Sequence, residues 1–106
     1  MTKFMVKASY TAAGTKGLMK EGGSSRKTTV GNLIKGLGGS MEAFYYAFGE
    51  TDVYVLCDLP DATTAVALSL AINATGMVTT STIPLLSVED IDAACKKSGA
   101  YRAPGA

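Results

Sequence analysis

The chain has 106 residues, with ten Lys or Arg, nine Asp or Glu and no His, so its formal net charge is +1. A near-neutral charge argues against nucleic-acid binding, which needs an excess of basic residues on one face. The absence of His excludes Ser-His-Asp, Cys-His and His-zinc chemistry within the chain. The length fits a single domain over 1–106, with 98–106 as its tail.

The composition predicts a globular protein that hides part of its surface. Apolar residues make up 47% and charged residues 18%, and the charged share is below the usual ~25%. This balance favours a homo-oligomer. No apolar run approaches the length of a membrane span, and the N-terminus lacks the continuous apolar segment of a signal peptide. We therefore expect a cytoplasmic protein with reduced thiols, and both Cys57 and Cys95 are predicted to be buried and inert.

The first third of the chain predicts one strand and two helices. Residues 3–9 alternate between apolar and polar side chains, as in a half-buried strand, and Thr11 is placed to cap a helix. Residues 12–38 have helical spacing but contain Gly22-Gly23, and each glycine is costly inside a helix. We therefore predict a short helix, a break, and a second helix that is capped by Ser24 or Ser25 and ends at Gly38-Gly39.

The rest of the chain predicts a hairpin, a helix, a strand and a last helix. The aromatic stretch 42–48 and the apolar stretch 53–58 read as two strands joined by a turn at 49–52, in which Gly49 takes a positive φ and Asp52 bonds the turn backbone. A helix over about 62–75 follows, capped by Asp61. A Thr-rich strand then ends near Pro84, and Ser87 to Asp90 forms a capping box for a helix that ends at about Lys97.

The resulting order predicts a ferredoxin-like α+β fold. A βαββαβ chain of this kind forms an antiparallel sheet of order 4-1-3-2 with the helices on one face, here with an added C-terminal helix. The other face would be bare. Its predicted side chains are Lys3, Met5, Lys7, Asp52, Tyr54, Leu56 and Asp58. Two such faces packed together would close a barrel across a dimer and leave a ligand cavity between the subunits.

The hairpin sequence Phe48-Gly49-Glu50-Thr51-Asp52-Val53-Tyr54-Val55, followed by Pro60, resembles the GYD-domain family. The likeness extends over almost the whole chain through short motifs at Tyr10-Thr11, Gly38-Gly39, Tyr45 to Gly49, Pro60-Asp61 and Gly76. It implies a small bacterial protein that is ferredoxin-like and similar in plan to the dimeric α+β barrel proteins. Members of the family largely lack an assigned function. Thr51 stands where the family's Tyr is expected, so any ring contact at that position is absent.

The bare sheet face supplies the candidates for catalysis. Lys7 on the first strand is predicted to neighbour Asp58 or Asp52 on the third, with Tyr54 between them. Without His, these Lys, Asp and Tyr side chains are the acid–base groups available for proton transfer. They would suit a cofactor-free enzyme of the dimeric α+β barrel type. The alternative is an ordinary Lys–Asp pair on a solvated or interface surface.

Two further groups are candidates for binding a small molecule. Ser24, Ser25 and Arg26 follow the glycine pair, where free amides, hydroxyls and a cation would suit a phosphate or carboxylate. Tyr10 and Tyr46 belong to an aromatic group that could line a pocket for a flat ligand, and Asp52 is the polar candidate at the hairpin. A capped helix break and ordinary aromatic packing are the alternatives.

The tail carries Tyr101 and Arg102, which are typical interface residues and are predicted to contact a neighbouring subunit unless the terminus is frayed. No metal or cofactor is expected. We expect a homo-oligomer that binds a small molecule between the sheet and the helices, at the open sheet face or between subunits. A cofactor-free enzyme and a structural self-assembling protein are the two other hypotheses.

Overall fold

The four strands and four helices follow the predicted order in a computed structural model, which describes residues 1–97 and 99–106. Ser98, the first residue of the predicted tail, lies outside the described residues. The elements are β1 Thr2–Tyr10, α1 Ala12–Glu21, α2 Gly23–Gly36, β2 Ser40–Tyr46, β3 Val53–Leu59, α3 Ala62–Asn73, β4 Val78–Pro84 and α4 Val88–Lys96.

The strands form one antiparallel sheet in the order β2-β3-β1-β4, which confirms the predicted 4-1-3-2 arrangement. The register places Val6 of β1 opposite Val55 of β3 and Thr82 of β4. A bulge in β2 between Met41 and Ala43 shifts its pairing with β3. The fold is therefore α+β and compatible with a ferredoxin-like chain, as the sequence predicts.

The core lies between one face of the sheet and the helices α2 and α3. β3 alternates between buried and half-buried residues along its whole length, and β1 follows the same period from Phe4. Side chains of two helices close this layer, and each fully buried aliphatic side chain contributes roughly 1.5–3 kcal/mol. The buried apolar residues are Phe4, Val6, Ala8, Ile34, Val53, Val55, Cys57, Leu59, Ala65 and Leu68.

Three of the predicted helix caps are confirmed. Thr11 accepts a hydrogen bond from the Gly14 amide at 3.2 Å, and Asp61 accepts one from the Thr64 amide at 2.8 Å. Ser87 and Asp90 form a capping box at the start of α4. These bonds satisfy amides that have no partner inside the helix.

The predicted cap of α2 is wrong. Gly22, with φ 87, is the N-cap, and no side chain caps α2. α2 starts directly where α1 ends, because the Gly22 amide donates to the Leu18 carbonyl of α1. Ser24 and Ser25 therefore already lie in the first turn of α2, past the position at which a hydroxyl reaches the free amides.

The hairpin also differs from the prediction. Phe48, with φ 57, adopts the left-handed conformation that we expected of Gly49. Asp52 reaches out of the turn, and its carboxylate accepts a hydrogen bond from the Tyr10 amide at 2.8 Å. Thr51 is buried. The end of β1 is thus fastened to the hairpin by a charge-assisted hydrogen bond, the stronger kind in proteins.

The last helix stands apart from this packed body. Every residue from Leu86 to Lys97 is exposed, and the radius of gyration is 17.0 Å, against about 13 Å for a compact chain of this length. Cys57 is buried as predicted, but Cys95 lies in α4 and is exposed, so the prediction for Cys95 is wrong. No helix in the described part of the chain is long and apolar enough to cross a membrane.

Candidate ligand-binding site

A cleft of about 440 Å³ opens between α1 and α2 on one side and α3 on the other. This volume lies within the ~300–1,000 Å³ range of small-molecule sites. The cleft is lined by Tyr10, Ala13, Gly14, Gly17, Leu18, Glu21, Arg26, Thr29, Leu33, Ala71, Ile72, Thr75, Met77 and Val78.

Two glycines of α1 shape the cleft. A side chain at Gly14 would collide with the backbone carbonyl of Met77, so only glycine allows α1 to approach the start of β4 this closely. Gly17 is one turn further along, and a Cβ there would meet no atom within 4 Å. The first glycine brings the helix close to the sheet, and the second leaves space beside it.

The walls of the cleft are largely apolar, and one charged pair belongs to its lining. Leu33, Ile72 and Val78 pack against the core with part of their surface still exposed. The Arg26 guanidinium lies 3.3 Å from the Glu21 carboxylate, and both side chains are partly exposed. An exposed pair of this kind contributes little to stability, so Arg26 is available to an anionic group that displaces Glu21.

Aromatic rings continue from the cleft towards the hairpin. Phe48 stacks on Tyr10 with ring centroids 6.4 Å apart and on Tyr46 at 6.0 Å, and Phe44 meets Tyr46 edge-on at 5.1 Å. The left-handed backbone at Phe48 costs about 1–2 kcal/mol, and each aromatic pair offsets roughly 0.5–1.5 kcal/mol. The stacked rings therefore compensate for an unfavourable backbone conformation.

Tyr46 connects this aromatic cluster to the helix break. Its hydroxyl donates a hydrogen bond to the Gly23 carbonyl at 3.0 Å. Burial, followed by the proximity of Tyr10, raises the pKa of Tyr46 to about 12. Tyr46 is therefore a neutral hydrogen-bond donor at physiological pH and not a base.

The predicted ligand-binding residues separate into two groups. Tyr10 and Arg26 line the cleft, and Tyr46 adjoins it through its stacking with Phe48 and its bond to α2. Asp52 does not line the cleft, and its carboxylate bonds the Tyr10 amide as described above.

The two serines lie outside the cleft. Ser24 and Ser25 are exposed, and their carbonyls accept hydrogen bonds from Thr28 and Thr29. Ser24 lines a more open depression of about 520 Å³ on another side of α2 with Lys27 and Lys35, and this lining is more polar than that of the cleft. Because α2 begins where α1 ends, the negative end of one helix dipole faces the positive end of the other. This weakens the attraction that we expected for an anion at the glycine break.

The open sheet face brings together a different ion pair from the one predicted. The Asp58 carboxylate lies 3.2 Å from the Lys3 ammonium, which also contacts Glu42 at 2.7 Å. These two hydrogen bonds, that of Glu42 first, raise the pKa of Lys3. Lys7 lies opposite Tyr54 and about 13 Å along β1 from Lys3. The predicted neighbourhood of Lys7 and Asp58 is therefore wrong, because the register sets them four residue pairs apart. The alternative partner, Asp52, bonds the Tyr10 amide, and no ion pair of Lys7 occurs among the described residues.

The same face carries a feature that sequence reasoning missed. Met5 of β1 pairs with Ile83 of β4 and with Leu56 of β3, and Leu56 pairs with Ala43 of β2. These four side chains form one apolar row across all four strands, here called the apolar row. The signal was present as alternation in each strand, but the register that aligns them depends on the bulge in β2.

The remaining lining of the cleft was also missed. Leu33 and Ile72 belong to the periodic apolar faces of α2 and α3, which read as ordinary core from the sequence. Their partial exposure follows from the spacing of the helices, which no local pattern reports.

Tyr101 and Arg102 of the tail are exposed, with Tyr101 at 82%. In residues 1–97 and 99–106, no three acidic or cysteine side chains converge to hold a metal ion.

Comparison with known proteins identifies a family. The family model described as the GYD domain matches residues 4–95, which is most of the chain. No curated protein and no solved structure matches the chain.

Proposed function

The chain belongs to the GYD-domain family, and from the geometry of the cleft we propose that it is a homo-oligomeric binding protein for a small apolar molecule that carries one anionic group. The observation that carries the proposal is the cleft of about 440 Å³ with apolar walls and an Arg26–Glu21 pair in its lining. Ligand sites in proteins combine apolar walls with a few polar groups that fix orientation.

The lining suggests the shape and charge of the ligand. The ring of Tyr10 and the aliphatic side chains of Leu18 and Ile72 suit a flat or hydrocarbon body. Arg26 suits a carboxylate, sulfonate or phosphate, since its guanidinium binds such planar or polyoxygen groups through two hydrogen bonds. An incoming anion would take the place of the Glu21 carboxylate on Arg26.

Binding is favoured over catalysis by the placement of the acid–base groups. The catalytic hypothesis needs Lys7, Asp58 and Tyr54 together, and the register pairs Asp58 with Lys3 and Lys7 with Tyr54. The Lys3 ammonium is held between two carboxylates at the surface, which suits structural pairing better than proton transfer. The cleft on the opposite side of the sheet contains none of these three residues.

Self-association is supported by the open sheet face. The apolar row of Ala43, Leu56, Met5 and Ile83 crosses this face, and surfaces of this kind commonly mark protein–protein contacts. The low charged fraction of the sequence points the same way. We place the subunit contact on this face and the ligand in the cleft, so that the two can be tested separately.

The ligand is tested with a fluorescent probe of the proposed class, anilinonaphthalene sulfonate, which combines flat rings with an anionic group. Arg26→Gln should weaken probe binding about tenfold, in line with the loss of one charge-assisted hydrogen bond. Glu21→Gln should strengthen binding, because it removes the competing carboxylate. Lys27→Gln, which removes the adjacent charge outside the cleft, is the matched control and should leave binding unchanged.

A second pair of variants tests the location of the probe. Gly17→Leu adds a side chain at a position that lines the cleft, and Gly36→Leu makes the same change at a position that does not; at both positions a Cβ meets no atom within 4 Å. Only Gly17→Leu should abolish probe binding, while both proteins stay folded. Equal binding by both variants would place the probe elsewhere and overturn the proposed site. Once the probe has been located in the cleft, native mass spectrometry of protein from its own host would identify the natural ligand by its mass.

A further inference from the structure

The C-terminal helix α4 has an apolar face that its own chain leaves uncovered. Val88, Ile91 and Cys95 recur at the i, i+3 and i+7 positions of one helix face, and all three are exposed. A nine-residue helix without tertiary packing is marginal in water even with good caps. The helical state of α4 therefore calls for a partner surface.

The open sheet face is the uncovered apolar surface of matching size. The apolar row of Ile83, Met5, Leu56 and Ala43 spans three strand spacings, or about 14 Å. The nine residues of α4 span about 13 Å. A helix laid along the row would therefore cover all four strands with one apolar stripe.

The charges beside the two surfaces are complementary. Glu89 and Asp92 lie in the first half of α4 next to the apolar stripe, and Asp90 is used in the helix cap. On the sheet, Lys7 lies two residues from Met5 on the same face of β1, and no carboxylate in the described part of the chain forms an ion pair with it. The acidic start of α4 can thus face Lys7 when the stripe lies on the row.

From these observations we infer that α4 of one copy docks on the open sheet face of a second copy of this chain. In a twofold dimer each copy would supply one helix and one face, so that the helix–face contact forms twice and neither the apolar stripe nor the apolar row of either copy stays uncovered. This inference rests on the proposed self-association and specifies its contact as helix on sheet, in place of sheet on sheet. It is independent of the cleft and its ligand.

The test is a complementation experiment followed by sedimentation velocity over a range of protein concentrations. Ile91→Glu disables the helix, and Leu56→Glu disables the face. Each variant alone should raise the concentration for half-maximal association at least tenfold. An equimolar mixture of the two should recover part of the association, because a heterodimer restores one of the two contacts: the intact helix of one variant meets the intact face of the other.

Controls exclude misfolding and other surfaces. Ile83→Glu changes the row at an edge position that is already 39% exposed. It replaces Leu56→Glu in the test if circular dichroism shows that Leu56→Glu does not fold, and it should weaken association in the same way. Val66→Glu alters an exposed apolar side chain of α3 outside both surfaces and should leave association unchanged. Labelling of the Cys95 thiol should slow at concentrations at which the wild-type protein associates.

The outcomes separate this inference from the proposed function. Normal association of Ile91→Glu would mean that sheet faces pair directly, and it would overturn the helix contact while keeping self-association. Normal association of both row variants would place the contact on the helices alone and overturn the inference. A wild-type protein that is monomeric at all concentrations would overturn both, and it would leave probe binding in the cleft to be judged by its own variants.

Discussion

The two faces of the sheet are formed by the same four strands but differ in composition and in burial. On one face, β3 presents Val53, Val55, Cys57 and Leu59, all buried under helices of the same chain. On the other, it presents Tyr54, Leu56 and Asp58, all partly exposed. The covered face is uniformly apolar, whereas the open face places its apolar row between a Lys3–Asp58 ion pair and a Lys7–Tyr54 pair.

This difference shows that apolar content alone does not identify the core of a small domain. A surface that is buried in the folded chain can be apolar throughout, because no water has to wet it. A surface that must stay soluble before a partner covers it keeps polar groups around an apolar centre, as protein interfaces do. The open face has the second composition, which supports the proposal that a second copy of the chain covers it.

The largest effect is expected from a matched pair of substitutions on β3. Leu59→Ala should lower the free energy of unfolding by about 3 kcal/mol, because Leu59 is fully buried and its loss leaves a cavity. Leu56→Ala on the open face should cost about 1 kcal/mol at concentrations at which the protein is monomeric. Urea unfolding measures both. Equal losses would show that the open face is packed within a single chain, contrary to the comparison.

The sequence was sufficient to predict the covered face because that information is local. Strand alternation in β1 and β3 and the capping residues Thr11, Asp61 and Ser87 are each readable within a few positions. The open face was predicted in composition but not in pairing. The register decides which charged side chains lie opposite each other, and the register is set by the whole sheet. The sequence therefore predicts Lys7 beside Asp58, whereas in the structure Lys3 is the partner of Asp58.

The next effect compares two positions on α1, one turned towards the sheet and one beside the cleft. Gly14→Ala should cost about 2 kcal/mol, because its Cβ would overlap the Met77 carbonyl and a backbone cannot yield cheaply. Gly17→Ala should stabilise the protein by about 1 kcal/mol, since alanine is the better helix former and the space is open. Thermal unfolding distinguishes the two signs. A neutral Gly14→Ala would mean that α1 does not approach β4 this closely.

The cleft was less predictable than the strands for a related reason. Tyr10 and Arg26 were identified from their chemistry, and both line it. Gly14 and Gly17 look alike in the sequence, yet one makes a close contact and the other leaves a space, and this depends on where α1 sits above the sheet. The exposure of Cys95 could not be predicted either, because an amphipathic helix reads the same whether its own chain or another covers it.

The smallest effect compares adjacent tyrosines of β2 that lie on opposite faces of the sheet. Burial raises the pKa of Tyr46 to about 12, whereas the hydroxyl in an unfolded chain ionises near 10. Between these values the folded state holds the proton and the unfolded state loses it, so stability falls as the pH rises from about 10 to 12. By pH 11.5 this loss is at most about 2 kcal/mol. Urea unfolding between pH 8 and 11.5 measures it.

Tyr46→Phe should remove this part of the alkaline dependence. It should also lower stability at neutral pH, where the hydrogen bond to the Gly23 carbonyl is lost. Tyr45→Phe is the matched control, because the Tyr45 ring is 68% exposed and its hydroxyl is hydrated in both states. If Tyr45→Phe removed the alkaline fall in stability and Tyr46→Phe did not, Tyr45 would be the buried tyrosine, and the two faces would be reversed at this edge of the sheet. Since β2 reaches its register only through the bulge after Met41, that result would also shift the apolar row by one strand position and remove Ala43 from it.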